Sequence, residues 1–431
     1  MKMKTKYLSA ALMLIVGSKA LAASFVVNTD VDLPDSNLGD GVCGTTLGPN
    51  ICSLRAAVMQ ANALPPGPHS ILLAPGVEYR LTRSQNFEDD NSQTGDLDIK
   101  VELLIINPAG INGDGARSIV NGLNNDRVFD IAGQNDVTLQ GFDIINGEPV
   151  QSEIGGAIVG RSGSQGAKII LKNMRIYENY AQLQGGAVYT ARPLHMQYTE
   201  IFENEAQAGS AIYALGMDNA NSITIESSSI YSNLGPLTTL ITNTTAVQVK
   251  LVNSTISSNE GFGINTQVTN GAGTHMEVLN STIANNEYGL VLTNSGDTLK
   301  LMNSVISTNG TDCLFAPGIT IEQNLSNIFS DVSCPLPASN IRTNPLLTPL
   351  KRRSGGDFKV AVHWPRPDSA AINTGSAASD PQLKCEPIDP LGIARPQFFK
   401  GSGSAGNTNR CDRGAAEVPE DAIFYDSHEY L

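Results

Sequence analysis

Leu251-Val252-Asn253-Ser254-Thr255-Ile256-Ser257-Ser258-Asn259 is the clearest copy of the pattern that decides the fold. Similar nine-residue copies begin at Leu171, Val278 and Leu301. The isoleucines that correspond to Ile256 stand at positions 176, 201, 230, 283 and 306, so consecutive copies lie 23 to 29 residues apart. A recurring period of this size is typical of a chain built from stacked repeats.

The apolar residues inside each copy predict strands. They alternate with polar residues over short stretches rich in Ile, Val and Thr, and no apolar stripe with helical period persists. Helical solenoids and leucine-rich repeats are therefore excluded. We predict an all-β fold, a right-handed, single-stranded parallel β-helix of about ten coils formed by residues 71–310.

Asparagines recur at two positions of the repeat, and stacked coils would align them in two rows. Aligned amides can hydrogen-bond to one another, and Asn also tolerates the left-handed backbone of sharp turns. We interpret both rows as structural ladders. The first comprises Asn173, Asn253, Asn280 and Asn303, and the second comprises Asn179, Asn204, Asn233, Asn259, Asn286 and Asn309.

Residues 1–22 have the pattern of a signal peptide: Lys2, Lys4 and Lys6, an apolar stretch, and a small-x-small site at Ala20-Leu21-Ala22. Export predicts an extracellular, cell-surface or periplasmic protein. Removal of these residues takes away four lysines and no acids, which changes the formal net charge from −14 to −18. A chain this acidic repels nucleic acid. It has no second apolar span, so we do not expect it to insert into a membrane. Polysaccharide or cell-surface protein is the expected partner.

The chain has six cysteines, and export makes disulfides the default interpretation. Fifteen connectivities are open to six cysteines. We favour three pairs that each close a local loop outside the repeats: Cys43–Cys52, Cys313–Cys334 and Cys385–Cys411. Zinc ligation is the alternative, but no Cys-x-x-Cys pair or paired histidines occur.

Both ends of a stacked solenoid need caps, because open strand edges would pair with other chains. Residues 23–70 form the predicted N-terminal cap, with a helix over 52–63 that ends before Pro65-Pro66. Residues 311–417 are rich in Pro, Gly and Cys and predict a loop-rich, disulfide-bonded C-terminal cap. Residues 418–431 form a short acidic tail.

Both ends also resemble a known family. Cys52-Ser53-Leu54-Arg55-Ala56-Ala57 resembles the CSLREA motif of exported bacterial β-helix proteins. Asn344-Pro345-Leu346-Leu347 and Cys411-Asp412-Arg413-Gly414-Ala415-Ala416-Glu417 are similar to the choice-of-anchor Q domain. The resemblance implies a pectin-lyase-like β-helix at or beyond the cell surface, with no settled activity. Ala56 stands where the motif has glutamate, which removes a partner for Arg55 within the cap.

Two sets of aromatic residues are the candidate ligand-binding residues. Tyr177, Phe202 and Tyr231 each follow an aligned isoleucine, and Tyr189 and Tyr213 follow a glycine-rich turn. If the isoleucines are buried, strand alternation turns both sets outward, as platforms for sugar rings or as stacked stabilising residues. His195 shares an outward row with Lys250, Glu277 and Lys300 and is a further candidate.

Catalysis is the alternative. Acid hydrolases of this architecture need clustered aspartates on adjacent coils, and the regular repeats contain no Asp-Asp pair. We therefore expect a non-catalytic, adhesin-like scaffold, with a polysaccharide lyase or glycoside hydrolase as the alternative.

A calcium site is a further hypothesis for the N-terminal cap. Asp30, Asp32, Asp35 and Asp40 lie close together in sequence beside Gly39 and Gly41, and they offer hard oxygen ligands in a loop. The competing interpretation is an acidic loop in solvent.

Overall fold

The computed structural model describes residues 22–84, 89–111, 116–150, 154–163, 166–215, 222–235, 240–243, 247–266, 273–352, 359–377, 385–398 and 409–420, and a strand pair near the C-terminus. The expected signal peptide therefore lies almost wholly outside the described residues. The fold is mostly β, a parallel β-solenoid with one α-helix and three disulfides.

Three sheets run along the solenoid, and consecutive coils contribute neighbouring parallel strands to each. Sheet 1 has eleven strands: Ser24–Val26, His69–Leu72, Leu103–Ile106, Val137–Gln140, Ile169–Lys172, Leu194–Gln197, Ser222–Glu226, Gln248–Val252, His275–Leu279, Thr298–Met302 and Thr320–Leu325. Sheet 2 has eleven: Glu78–Arg80, Ser118–Asn121, Phe142–Ile145, Arg175–Tyr177, Glu200–Phe202, Ser229–Tyr231, Thr255–Ser257, Thr282–Ala284, Val305–Ser307, Ile328–Phe329 and Ile341–Arg342.

Sheet 3 has two parts. The first comprises Leu97–Ile99, Phe129–Ile131, Ile158–Gly160, Val188–Thr190, Ile212–Leu215 and Leu240–Asn243, and the second comprises Phe262–Thr266, Tyr288–Leu292 and Thr311–Phe315. Tyr180–Gln184 pairs separately with Glu205–Ala208, and Phe424–Tyr425 forms an antiparallel pair with Glu429–Tyr430. In the described residues, the helices are the α-helix Leu54–Ala63 and one 3₁₀ turn at Ala109–Ile111.

The isoleucines aligned from sequence form one buried column inside sheet 2. Ile176, Ile201, Ile230, Ile256, Ile283 and Ile306 pair in unbroken register and are at most 1% exposed. Burial of each such side chain is worth about 1.5–3 kcal/mol. Since every coil places the same repeat position in this column, the register of the solenoid follows from the repeat.

The second asparagine row is a continuous amide ladder. The Nδ2 of Asn179 donates to Oδ1 of Asn204 at 2.9 Å, and this bond repeats at 2.9–3.1 Å through Asn233, Asn259 and Asn286 to Asn309. The same oxygens accept backbone N–H groups; Asn204 Oδ1, for example, accepts the N–H of Asn179. The ladder therefore satisfies buried polar groups at one corner of the described coils.

The first asparagine row does not form such a ladder, so that part of the expectation is wrong. Asn173, Asn253, Asn280 and Asn303 all have φ between 45° and 51°, the left-handed region that the turn from sheet 1 to sheet 2 requires. Their amides bond elsewhere: Asn253 Nδ2 donates to the carbonyl of Ile388 at 2.8 Å, and Asn303 Oδ1 accepts from Ser376 N at 2.9 Å.

A row of hydroxyls, which the sequence reasoning missed, bonds between coils beside that turn. The backbone N–H of Thr199 donates to Ser228 Oγ, and the same bond links Ser228 to Ser254 and Ser254 to Ser281 at 3.1–3.2 Å. The signal was present in the Asn-Ser-Thr and Asn-Ser-Val triplets of the repeat.

The N-terminal cap is held by the buried side chain of Arg55. Its guanidinium pairs with Asp32, with Nε 2.6 Å from Oδ1, and donates to the carbonyls of Ser92, Gly95 and Asp96. Asp32 thus supplies the partner that Ala56 does not. Ser53 caps the α-helix by accepting from Ala56 N at 3.0 Å.

The three disulfides join the pairs favoured from sequence, Cys43–Cys52, Cys313–Cys334 and Cys385–Cys411. The strands of the solenoid continue past residue 310, to Ile341–Arg342. Beyond them, the described parts of residues 344–418, here called the C-terminal segment, do not stack on the end as a simple cap. They pack along the side of sheet 2, with a small core of their own and a second cluster in which Ala371 packs with Val305 and Ile328 of sheet 2.

Candidate binding surface on sheet 2

Three aromatic rings form a strip on the outer surface of sheet 2. Tyr177, Phe202 and Tyr231 pair in register on successive coils and are half-buried. Their ring centroids lie 4.8 and 5.0 Å apart, with interplanar angles of 9° and 2°. Phe202 lies between the other two rings, so each of its faces is stacked against a neighbouring ring. We call these three residues the aromatic strip.

A column of charged side chains lies beside the strip, two residues earlier in each strand. Asp143, Arg175 and Glu200 occupy it on successive coils. Asp143 binds Arg117, whose Nε lies 2.5 Å from Oδ1. Arg175 Nε lies 3.4 Å from Glu200 Oε2. Both flanking arginine–carboxylate pairs are largely buried, so the column is a fixed polar border to the strip.

Glu200 marks the place where the C-terminal segment begins to cover sheet 2. Its fully buried carboxylate accepts from Ala361 N at 2.9 Å and from Arg352 Nη1 at 3.2 Å, and Tyr231 Oη lies 3.5 Å away. Burial raises the pKa of the Tyr231 hydroxyl, and the Glu200 carboxylate adds to this effect. Tyr231 is therefore a neutral hydrogen-bond donor at the edge of the strip.

The other predicted aromatic pair lies on sheet 3 and only half of it is accessible. Tyr189 and Tyr213 stack at 5.5 Å with an interplanar angle of 3°. Tyr213 is 5% exposed, so its expected exposure is wrong. Its strand pairs with Val188–Thr190 on one side and with Leu240–Asn243 on the other.

The row of charged residues that the repeat predicts lies on sheet 1. His195, Thr224, Lys250, Glu277 and Lys300 follow one another in register. His195 Nε2 lies 3.4 Å from Glu226, and Lys300 Nζ lies 3.3 Å from Glu277. Partly exposed pairs of this kind are each worth about 0–1 kcal/mol. His195 lines neither the cavity that contains Arg366 nor the one between Ile321 and Pro337.

The four N-terminal aspartates are separated by their own hydrogen bonds. Asp32 pairs with Arg55, Asp35 accepts from Asn37 N and Gly44 N, and Asp40 accepts from Val42 N and Gln60 Nε2. Asp30 is exposed. Nowhere in the described ranges are three or more His, Cys, Asp or Glu side chains grouped to hold a metal ion, so calcium stays a prediction without a site.

The structure also pairs two aspartates that the sequence reasoning passed over. Asp98 and Asp130 face each other on adjacent coils of sheet 3, in the triplets Leu97-Asp98-Ile99 and Phe129-Asp130-Ile131. Both are fully buried. The recurring apolar-Asp-Ile triplet is the sequence pattern that indicates this pair. The two aspartates are not adjacent in the sequence, because they lie in different coils.

The surroundings of the two aspartates differ. Asp130 binds Arg161, with Nη2 2.5 Å from Oδ2, and Arg127 at 3.2 Å. Asp98 Oδ2 accepts from Ser92 N at 2.7 Å, whereas its Oδ1 has no hydrogen-bond partner among the described residues. Burial raises the pKa of Asp98 to about 7, and the negative Asp130 reinforces this. Ser92 contacts Asp98, the two arginines contact Asp130, and neither aspartate is exposed to solvent.

The comparisons with known proteins add a likeness of fold. No protein-family model matches the chain, and no curated protein matches it. The crystal structure of pectate lyase Pel9A is similar with a TM-score of 0.46 and 16% identity, over 92% of this chain and 97% of that one. A mutant of the PL6-family alginate lyase AlyGC has a TM-score of 0.24 and 13% identity, over 79% and 58%. Among the residues described, no helix is long and apolar enough to cross a membrane.

Proposed function

We propose that this protein is an exported, non-catalytic β-helix scaffold that binds glycans through the aromatic strip. The observation that carries the proposal is the strip itself: three aligned, half-buried rings beside a fixed column of charged groups. Sugar rings pack their C–H faces on aromatic side chains, while their hydroxyls bond to polar neighbours. The strip supplies the rings, and the hydroxyl of Tyr231, which lies 3.5 Å from Glu200, supplies a polar group at its edge.

Export and family belong to the same proposal. Three disulfides accord with an oxidising compartment outside the cytoplasm. We place the chain with CSLREA-motif, choice-of-anchor Q proteins, as a right-handed helix of about ten coils, at the cell surface or beyond it. A cell-surface protein is the alternative partner for the same strip.

A second candidate function, polysaccharide cleavage, is favoured by the Asp98–Asp130 pair. Two carboxylates on adjacent coils, one of them with a pKa of about 7, match the needs of general acid–base catalysis. Enclosure of both side chains weighs against it, because a glycosidic bond must reach the acid. A scaffold function is therefore the better-supported proposal.

A glycan array on the mature protein tests the binding function. We expect binding that falls at least tenfold in the double variant Tyr177→Ala/Phe202→Ala, since two ring contacts are lost. The matched control is Phe262→Ala/Tyr288→Ala, which removes a half-buried ring pair of similar spacing, 5.0 Å, from sheet 3. Equal loss in both variants, or no loss in the first, would refute binding at the strip.

A reducing-sugar assay and an assay for unsaturated uronates, on the glycans that bind, separate the two functions. The scaffold proposal expects no product from any of them. Product formation that disappears in Asp98→Asn would establish the catalytic alternative instead.

A further inference from the structure

A cavity of about 300 Å³ opens where the C-terminal segment meets the turns that follow sheet 2. Such a volume is at the small end of ligand pockets. Asn285 and Thr308 line it from two successive coils of the solenoid, and the remaining wall belongs to the C-terminal segment. Among its lining residues are Asn344, Leu346, Leu347 and Arg366.

Among the described residues, Arg366 is the only charged one that lines this cavity. Its guanidinium makes no hydrogen bond or ion pair with any residue that the structure describes, and its Nε is shielded from solvent without a partner. Enclosed arginine groups are normally paired, because an unmade charged hydrogen bond costs about 1–3 kcal/mol or more. An unpaired donor in a cavity wall therefore points to a ligand.

The backbone that carries Arg366 is held firmly in place. Arg366 N donates to the carbonyl of Leu346 at 2.9 Å, and Thr348 and Trp364 bond to each other next to it. His363 connects this part of the C-terminal segment to the solenoid, since its Nε2 lies 2.7 Å from Ser257 Oγ. The guanidinium is thus presented from a preorganised framework, which limits the entropy lost on binding.

The other lining groups define the ligand's chemistry. Asn344 Oδ1 accepts from Leu346 N at 2.9 Å, which leaves its Nδ2 as a donor, and the amide of Asn285 is exposed. Leu346 and Leu347 supply an apolar wall. A fork of guanidinium donors matches a planar carboxylate, while flanking amides suit hydroxyl groups. We infer that this cavity binds the carboxylate of an acidic sugar, with Arg366 as its ion-pair partner.

The cavity and the aromatic strip lie along the same side of the solenoid. Asn285 is in the coil two steps beyond Tyr231, which corresponds to about 10 Å along the solenoid. The turn residues Ser232 and Ser258 connect the two places and are partly or fully exposed. A single acidic oligosaccharide spans this distance, so the inference deepens the proposed function: it rests on glycan binding and adds that the glycan carries uronates.

Calorimetry with a hexuronate trisaccharide and its methyl ester tests the inference. The wild-type protein should bind the acid form at least tenfold more tightly than the ester. Arg366→Gln should abolish this preference, and Arg366→Lys, which keeps the charge but lacks the fork, should retain part of it. The matched control is Arg80→Gln, an exposed arginine on the same sheet, which should keep the full preference.

Unchanged affinity of Arg366→Gln for the acid form, or equal affinity of the wild type for acid and ester, overturns the inference. Because the guanidinium has no partner in the described structure, the variants should melt like the wild type. Loss of binding to both forms in Tyr177→Ala/Phe202→Ala, with the acid preference of the wild type intact, supports the strip and the cavity together.

Failure of the proposed function can be distinguished from failure of this inference about the cavity. If no trisaccharide binds, NMR titration of free hexuronate decides the cavity alone. A shift of the Arg366 Nε–H signal supports the site. No shift at saturating hexuronate overturns it.

Discussion

The outer surface of sheet 2 has two halves with opposite composition. One half carries the large rings of Tyr177, Phe202 and Tyr231, and they stay half-buried. The other half continues the same column with Ser257, Ala284 and Ser307, all of them fully buried beneath the C-terminal segment. We call this second set the covered half.

The difference shows that side-chain size at one repeat position decides what lies above it. Small residues leave room for the backbone of the C-terminal segment, which donates from Ala415 N to Thr282 Oγ1 at 3.0 Å. Rings as large as Tyr and Phe exclude that approach and leave a surface for a ligand. Both halves share the same inner isoleucine column, so the contrast lies only on the outside.

The largest effect should follow from removing the residue at the boundary. Glu200→Ala leaves Arg175 and Arg352 without their shared carboxylate and Ala361 N without its acceptor. Loss of one partner from a buried ion pair costs about 3–5 kcal/mol. Urea unfolding should show this loss by circular dichroism, and Glu200→Gln, which retains an acceptor, should lose less. A loss under 1 kcal/mol for Glu200→Ala would contradict this view of the boundary.

The amide ladder should support both halves equally, although only one is covered. Asn204 follows Phe202 by two residues and Asn259 follows Ser257 by two, and each amide donates to the next asparagine of the ladder and to an isoleucine carbonyl of the preceding coil. Each Asn→Ala change should therefore destabilise by about 2–4 kcal/mol, because buried partners lose their bonds. A much smaller loss of unfolding free energy for Asn259→Ala, measured under identical conditions, would mean that contacts with the C-terminal segment compensate for part of the lost ladder bonds.

A large ring placed in the covered half should displace the C-terminal segment from sheet 2. Ser257→Tyr removes the bond to His363 and inserts a ring where none fits, at a cost of about 1–3 kcal/mol. Trp364 is the chain's single tryptophan and is 9% exposed within the C-terminal segment. Its fluorescence should shift toward that of exposed tryptophan, while circular dichroism of the solenoid stays the same. Ser258→Tyr, one residue on and exposed, is the control that should leave Trp364 unchanged.

A further effect concerns pH and should be confined to the C-terminal segment. Burial, reinforced by Asp412, raises the pKa of Glu417 to about 8, although Arg395 lies 3.9 Å away. Burial likewise raises the pKa of Asp412 to about 6, against the charge of Arg395 and backbone N–H bonds, and the pKa of the adjacent Asp389 is raised as well.

A raised carboxyl pKa means that the folded segment binds protons that the unfolded chain has released. This stabilisation is complete below the unfolded pKa of about 4–4.5 and is lost as pH rises through about 6 and 8. Trp364-monitored urea midpoints should therefore decrease from pH 5 to pH 8. Glu417→Gln should flatten the decrease; a midpoint that rises with pH in the wild type would reverse the assignment.

The amino-acid sequence predicted the part of the structure that repeats. The isoleucine column, the left-handed asparagine turns and the three disulfide pairs all follow from residues that recur or close local loops. The two asparagine rows behaved differently because one turn faces the inside of the coil and the other faces the C-terminal segment. Periodicity shows that residues align, and it contains no information on what packs against the row.

The candidate surface was predicted only in part for the same reason. The aromatic strip was visible, since each ring follows an isoleucine of the repeat. The Asp98–Asp130 pair and the Arg366 cavity were not, because their members are joined across coils or across segments far apart in the chain. Tyr213 was misplaced because alternation reports the face of a sheet and not the burial of that face.

By itself, the sequence determined the solenoid, since each coil repeats the same hydrogen-bonding and apolar positions and stacking of identical positions needs no outside partner. Only the tertiary structure decided where the described parts of residues 344–418 lie, and hence which half of sheet 2 is open. Their contacts with sheet 2 join residues more than 100 positions apart, as in the bonds from Glu200 to Ala361 and from Ser257 to His363. Such contacts depend on the fit of two finished surfaces, which no local pattern encodes.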